Sequence, residues 1–275
     1  MYIKFKDGKS KALTLSYDDG NVQDIRLAKL FSKYGIKATF NINSGLFLKE
    51  DNSVDTKFRR LKLSEAKALY QQSGHEVASH TVSHIRPDTV EESELMYEIM
   101  EDRKVLEQEF DIFVRGFAHP YSVCNEKIKE ILKHCGYSYA RGGESSYNFK
   151  LPEDRFLIKP TCSHKDPKFI EFADKFINDE PKWGDVYLFY VMGHSFEFDI
   201  DDNWEIIEKF CETVSGKDDV WYATNIEIFD YIDAYHALKT TTDKKIIYNP
   251  SVIDVWVEHK GKIYKIPADE SVVTE

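Results

Sequence analysis

Short runs rich in β-branched and aromatic residues alternate along the chain with stretches whose apolar residues recur every three or four positions. The first run, Ala12–Tyr17, reads as a strand, and the stretch after it predicts a helix from about Asn21 to Tyr34. Ile25, Leu27, Ala28 and Phe31 supply its apolar face, Asn21 is a good N-cap and Gly35 ends it. "KATFNI" reads as the next strand, followed by a loop carrying "DNSVDTKFRR", a helix beginning at Ser64 and the strand "HEVAS". Thr89 and Glu92 have capping-box spacing before a long helix that turns Leu95, Ile99, Leu106 and Phe110 inward.

The alternation continues with the strand "FVRGF", a helix over Asn125–Cys135 and the short strand "YSYAR". After a looser stretch come the helix "KFIEFADKFIND", the buried strand "DVYLFYVM", the helix "NWEIIEKFCETV", the strand "VWYAT" and a last helix over Asn225–Leu238. Strand-then-helix units in this number require parallel strands joined by right-handed crossovers. The expected fold is therefore α/β, a distorted (β/α) barrel of about seven strands. From about Thr240 the pattern changes: "VIDVWVEHKGKIYKI" predicts two strands turning at Lys260–Gly261 with no helix after them. The expected organisation is a barrel over residues 1–240 and a β-hairpin extension over 241–275 that covers an edge.

Composition narrows the partners. The 275 residues include 37 basic and 48 acidic side chains, a net charge of −11 that repels phosphate backbones and argues against nucleic acid. No run of 18 apolar residues predicts a membrane span. The first residues alternate like a strand and lack the apolar core of a signal peptide, so a cytoplasmic location is expected. The four cysteines form no CxxC pair and are expected as buried free thiols.

Two stretches carry chemistry. "SYDDG" puts Asp18 and Asp19 side by side where a strand ends. Such carboxylates repel unless a positive charge lies between them. In "SHTVSH", His80 and His84 follow another strand at i, i+4 spacing. If the chain turns helical there, the imidazoles share one face, about 5–6 Å apart at Cβ, as in chelating helices. Two histidines and one aspartate at the C-terminal ends of strands form a three-ligand site with open positions, the layout of a catalytic metal. The other aspartate stays free to act as a base.

These motifs, with "GFAHPYS" and the buried strand ending in "VMGHSFEFD", resemble the NodB-like polysaccharide deacetylases of carbohydrate esterase family four, whose signatures are (S/T)(F/Y)DDG, H(S/T)xxH, RxPY and a late histidine after a buried strand. The resemblance spans about Leu13 to His194. It implies a hydrolase that removes acetyl groups from an N-acetylated amino sugar or oligosaccharide. Asp19, His80 and His84 would ligate a divalent metal, commonly zinc, with cobalt, nickel, manganese or iron as alternatives. Asp18 would be the general base, His194 the general acid, and the Tyr121 backbone N–H an oxyanion donor in a loop shaped by Pro120. The family's arginine in RxPY, which orients the base, is replaced by Ala118, leaving His119, Arg115 or Arg141 as candidate partners for Asp18. The family's Asp-rich, Trp-ending segment is also missing, and His164 is a candidate substitute on the far wall of the site.

Plainer roles compete with these. A DD pair before glycine also marks a turn, "SFEFDIDDN" reads as a solvated acidic loop, and Trp204 and Trp221 read as core. Alternative functions are hydrolysis of a small cyclic or other non-sugar amide, and a catalytically silent glycan-binding protein, to which Ala118 points. A non-haem iron oxygenase needs HxD…H, which the order D…HxxxH does not match.

Overall fold

The computed structural model describes residues 1–49 and 57–274, so the "DNSVDT" part of the expected loop lies outside the described residues. The chain opens with β1 (Tyr2–Lys4) and enters a repeating course: β2 (Lys11–Asp18), α1 (Asp24–Lys33), β3 (Thr39–Ile42), α2 (Leu63–Ser73), β4 (Glu76–Ser79), α3 (Glu92–Phe110), β5 (Gly116–Ala118), α4 (Glu126–His134) and β6 (Tyr139–Arg141). It continues through β7 (Cys162–Ser163), α5 (Phe169–Asn178), β8 (Tyr187–His194), α6 (Glu197–Ile200), α7 (Trp204–Val214), β9 (Val220–Tyr222) and α8 (Asn225–Ala237). The tail holds β10 (Lys239–Thr240), β11 (Ile246–Tyr248), β12 (Val255–His259), β13 (Lys262–Ile266) and β14 (Ser271–Val273).

Strands β2 to β9 form one parallel sheet in the order β6-β5-β4-β3-β2-β8-β7, with β9 paired to β2. β2 is the hub. It pairs with β8 along its whole length, while Lys11–Leu13 meet β9 and Ser16–Asp18 meet β3. Residues 155–163 draw the ends of the sheet together: Ile158 N donates to Ala140 O (3.0 Å), and Thr161 N donates to Tyr190 O (2.7 Å). The result is the distorted (β/α) barrel. Its eighth strand, the two-residue β7, falls in the looser stretch where no apolar run marks it.

Pleating divides β2 into two faces. Leu13, Leu15 and Tyr17 point outward into the core shared with the helices. Thr14, Ser16 and Asp18 point the other way, into a polar barrel interior. There Thr14 Oγ1 donates to Asn225 Oδ1 (2.7 Å), and Asn41 Nδ2 donates to Ser16 Oγ (2.8 Å) and to Asp18 Oδ1 (2.8 Å). This interior of hydrogen-bonded groups replaces the branched apolar layers usual in such barrels.

Three local expectations change. α1 begins at Asp24 because Asn21 is used elsewhere, its Nδ2 donating to Phe58 O (3.2 Å). Thr89 does not cap α3; its hydroxyl donates to Arg86 O (2.9 Å). The hairpin turns at Lys260–Gly261, both at positive φ, but it is not a C-terminal unit alone, because β1 adds to it as the outer strand beside β12. β10, β11 and β14 form a second small sheet. Val255, Val257 and Ile266 pack with Phe5 and with Ile228, Phe229 and Tyr231 of α8, sealing one end of the barrel.

Candidate active site

The C-terminal ends of β2, β4, β6 and β8 meet at the other end. The inward phase of β2 buries Asp18, where Oδ1 accepts a short hydrogen bond from Arg141 Nη2 as well as the one from Asn41. Burial by itself would raise this carboxyl; the Arg141 guanidinium, aided by His80 and His194, overcomes it and holds the group at about 2. His119 and Arg115 are not its partners. His119 Nε2 donates to Phe156 O (2.9 Å), and Arg115 forms a fork with Asp230 (2.7 Å on both arms). Arg141 sits opposite Ala118 in the β5–β6 register. The guanidinium missing from β5 is thus supplied by the neighbouring strand at the same height.

Asp19 leaves the strand at φ 86°, and its carboxylate takes partners other than those of Asp18. Its Oδ1 lies 3.6 Å from His84 Nε2. Ligand atoms of Asp19, His80 and His84 all fall within 4.8 Å of one another. The His80 and His84 rings meet edge-on at 4.8 Å, but the segment between them is not the expected helical turn. Thr81 and His84 have positive φ, which breaks a helical turn, and carboxylates on α3 hold the segment through its backbone N–H groups. Asp102 accepts from Ser79 Oγ (2.5 Å), His80 N (3.1 Å) and Ser44 N (2.7 Å), and Glu98 accepts from Ser83 N and Oγ (2.8 Å each).

This trio fits a divalent cation. His80 Nδ1 donates to Ala118 O (2.8 Å), which fixes the tautomer and leaves Nε2 as the free lone pair. Burial lowers His80 to about 4, so the ring is neutral, as a ligand must be. Asp19 Oδ1 is buried and accepts no hydrogen bond among the described residues. Arg60, which sequence reading did not single out, lies 3.1 Å from that oxygen and donates a short bond to the Asp19 carbonyl.

The β2–β8 register sets His194 level with Asp18, its Nε2 4.0 Å from Asp18 Oδ2. His194 Nδ1 lies 3.3 Å from Glu197 Oε2, which also accepts from His194 N (3.1 Å). Burial depresses this imidazole, but the Glu197 hydrogen bond and the Asp18 charge outweigh it and raise the His194 pKa. Glu197 comes from "SFEFDIDDN", so that stretch is not simply a solvated loop; its first carboxylate faces the site and Asp199 accepts from buried Trp204 Nε1 (2.7 Å). His164 does not line the site. It is buried behind it, stacked between Tyr17 (5.6 Å) and Phe198 (4.2 Å), with Nε2 3.3 Å from Glu197. Burial holds it near 4, hence neutral.

Tyr121 is 59% exposed, with φ 54° in the turn after β5. Its ring meets that of His84 edge-on at 4.7 Å, which brings the Pro120–Ser122 turn beside Asp19, His80 and His84. Thus Asp18, Asp19, His80, His84, Tyr121 and His194 surround one site. Arg60, Glu98, Asp102 and Glu197 were missed; only Glu197, three residues past His194, had a local signal.

Residues 5–140 match the polysaccharide deacetylase family model. Over that stretch, just under half of its length, the chain is similar to the NodB-like deacetylases of carbohydrate esterase family four. Solved structures of the same fold include a Mycobacterium smegmatis protein assigned to the polysaccharide deacetylases, at 15% identity and TM-score 0.61, covering 86% of this chain and 94% of that one. A chitin deacetylase from Colletotrichum lindemuthianum aligns at 16% identity and TM-score 0.53, covering 80% and 88%. A family pseudoenzyme from Bacillus anthracis aligns at 18% identity and TM-score 0.51, covering 83% and 68%. No curated protein matches the chain. Among the described residues, no helix is long and apolar enough to cross a membrane.

Proposed function

We propose that this protein is a metal-dependent hydrolase that de-N-acetylates an N-acetylated amino sugar or oligosaccharide. The observation that carries the reading is the trio Asp19, His80 and His84 together with an arginine-held carboxylate, Asp18, and a glutamate-held imidazole, His194, 4.0 Å apart. A divalent cation held by that trio supplies Lewis acidity and lowers the pKa of water from about 15.7 toward 7.

The residues divide the remaining work. Asp18 Oδ1 is occupied by Arg141 and Asn41, so Oδ2 is the atom that takes a proton from the attacking water. The water oxygen bonds to the acetyl carbon, and charge developing on the carbonyl oxygen is met by the Tyr121 backbone N–H. As the C–N bond breaks, His194 Nε2 gives its proton to the departing nitrogen. The products are acetate and a free amine. Base and acid each contribute typically about 10²–10⁴-fold.

The reading is tested by elemental analysis and acetate release from N-acetylglucosamine oligomers, on the wild type and on Asp19→Asn. The wild type is expected to carry a divalent metal and release acetate, and the variant to do neither. A protein that retains no divalent metal and binds neither zinc nor cobalt would sink it. Ring opening of a cyclic ureide without acetate release would move the substrate to the small-amide class. A silent glycan-binding protein has less support, since Arg141 restores the partner that Ala118 removed.

A further inference from the structure

A second feature lies at the opposite end of β8. Around Tyr187, where that strand begins, a cavity of about 680 Å³ is lined by Tyr147, Phe172, Tyr187, Lys150, Lys175 and Lys182. His194 is seven residues farther along the strand, about 23 Å away at about 3.3 Å per residue. The cavity is therefore separate from the catalytic end.

Its walls are costly to maintain without a use. Tyr147 is a bulky residue at φ 55°, a backbone region that disfavours side chains, yet it is held there by Tyr147 N donating to Thr161 O (3.0 Å). Its ring is 60% exposed and stacks on Phe172 at 6.2 Å. Between Lys182 and Gly184 of the lining, Trp183 is 74% exposed and braced edge-on by Tyr2 at 4.9 Å. The charge is equally distinctive. Three lysines line one cavity on a chain of net charge −11. Lys175 pairs with Glu171 (2.7 Å), but Lys150 and Lys182 form no ion pair among the described residues, and Asp185 is the one acid in the lining.

We infer that this cavity binds a carbohydrate chain bearing carboxylates. Open aromatic faces suit the apolar faces of sugar rings. Lysines spaced around the wall are single, mobile point charges, suited to acidic groups distributed along a chain. No arginine fork lines the cavity, the feature expected of a compact phosphate site. The site holds an acidic glycan at the end of the barrel remote from the reaction, and it stands independently of the chemistry there.

Titration calorimetry on the full chain, stripped of metal by a chelator, tests this with oligogalacturonate as the probe. Binding is expected, with affinity falling as salt rises. Lys150→Glu/Lys182→Glu is expected to weaken it by at least about tenfold. Trp183→Ala, at an exposed position between two lining residues where folding is not at stake, is expected to weaken it as well. Circular dichroism checks that both variants fold. No binding by the wild type, equal binding by both variants, equal binding of a neutral N-acetylglucosamine oligomer, or tighter binding of a single-stranded oligonucleotide overturns the inference.

Discussion

Replacing Glu197 by Gln removes one negative charge and preserves the shape of the side chain. The carboxylate stands 3.3 Å from His194 Nδ1. Coulomb's law at an effective dielectric of about 20 gives roughly 5 kcal/mol at that separation, an upper bound. The net value of a hydrogen bond to a charged group is about 1.5–3 kcal/mol, equivalent to about 1–2 pKa units. The His194 side chain is 34% exposed, so solvent screens the pair and the lower end applies. The sign follows from the role: the acid works only while protonated, and a raised pKa keeps it protonated to higher pH. Removing Glu197 lowers the His194 pKa, so the basic limb of the kcat profile for acetate release is expected to move about one unit toward acid. At neutral pH kcat is expected to fall with KM nearly unchanged, the pattern of an interaction that matters to the chemical step. A basic limb that stays in place, with kcat intact, refutes the assignment of Glu197 as the residue that positions and charges the acid.

Two further outcomes follow from the packing. Arg141→Gln leaves the Asp18 carboxylate buried without its cation, and is expected to cost about 3–5 kcal/mol of stability in urea denaturation at pH 7. Because the folded Asp18 pKa is depressed to about 2, its stabilising contribution is present above the unfolded value of about 3.9 and fades as pH falls toward 2, so the wild-type advantage should shrink in acid. Gly193→Ala would set a Cβ 2.0 Å from His164 Nδ1, and a loss of about 1–3 kcal/mol in thermal or urea unfolding is expected; an unchanged stability would show that His164 is free to move.

Local pattern was enough to place most of the barrel. Buried parallel strands read as continuous apolar runs, and helices carry their own period and stop signals, so each β–α unit announces itself. The eighth strand did not, because two residues in an irregular segment have no period to detect. The tail hairpin was legible from its turn, whereas its third strand, β1, comes from the far end of the chain, where one short strand says nothing about its partner.

The site divides the same way. The sequence by itself determined which side chains stand at strand ends, since Asp18, Asp19, His80, His84 and His194 all come at or just after stretches that read as strands. Only the tertiary structure decided their company. Strand pleat and the positive φ at Asp19 sent two neighbouring carboxylates to different partners. The β5–β6 register put Arg141 where Ala118 left a gap, and α3 supplied the carboxylates that hold the non-helical histidine turn. Arg141 and Asp18 are separated along the chain by 123 residues, and short-range periodicity carries no information at that distance.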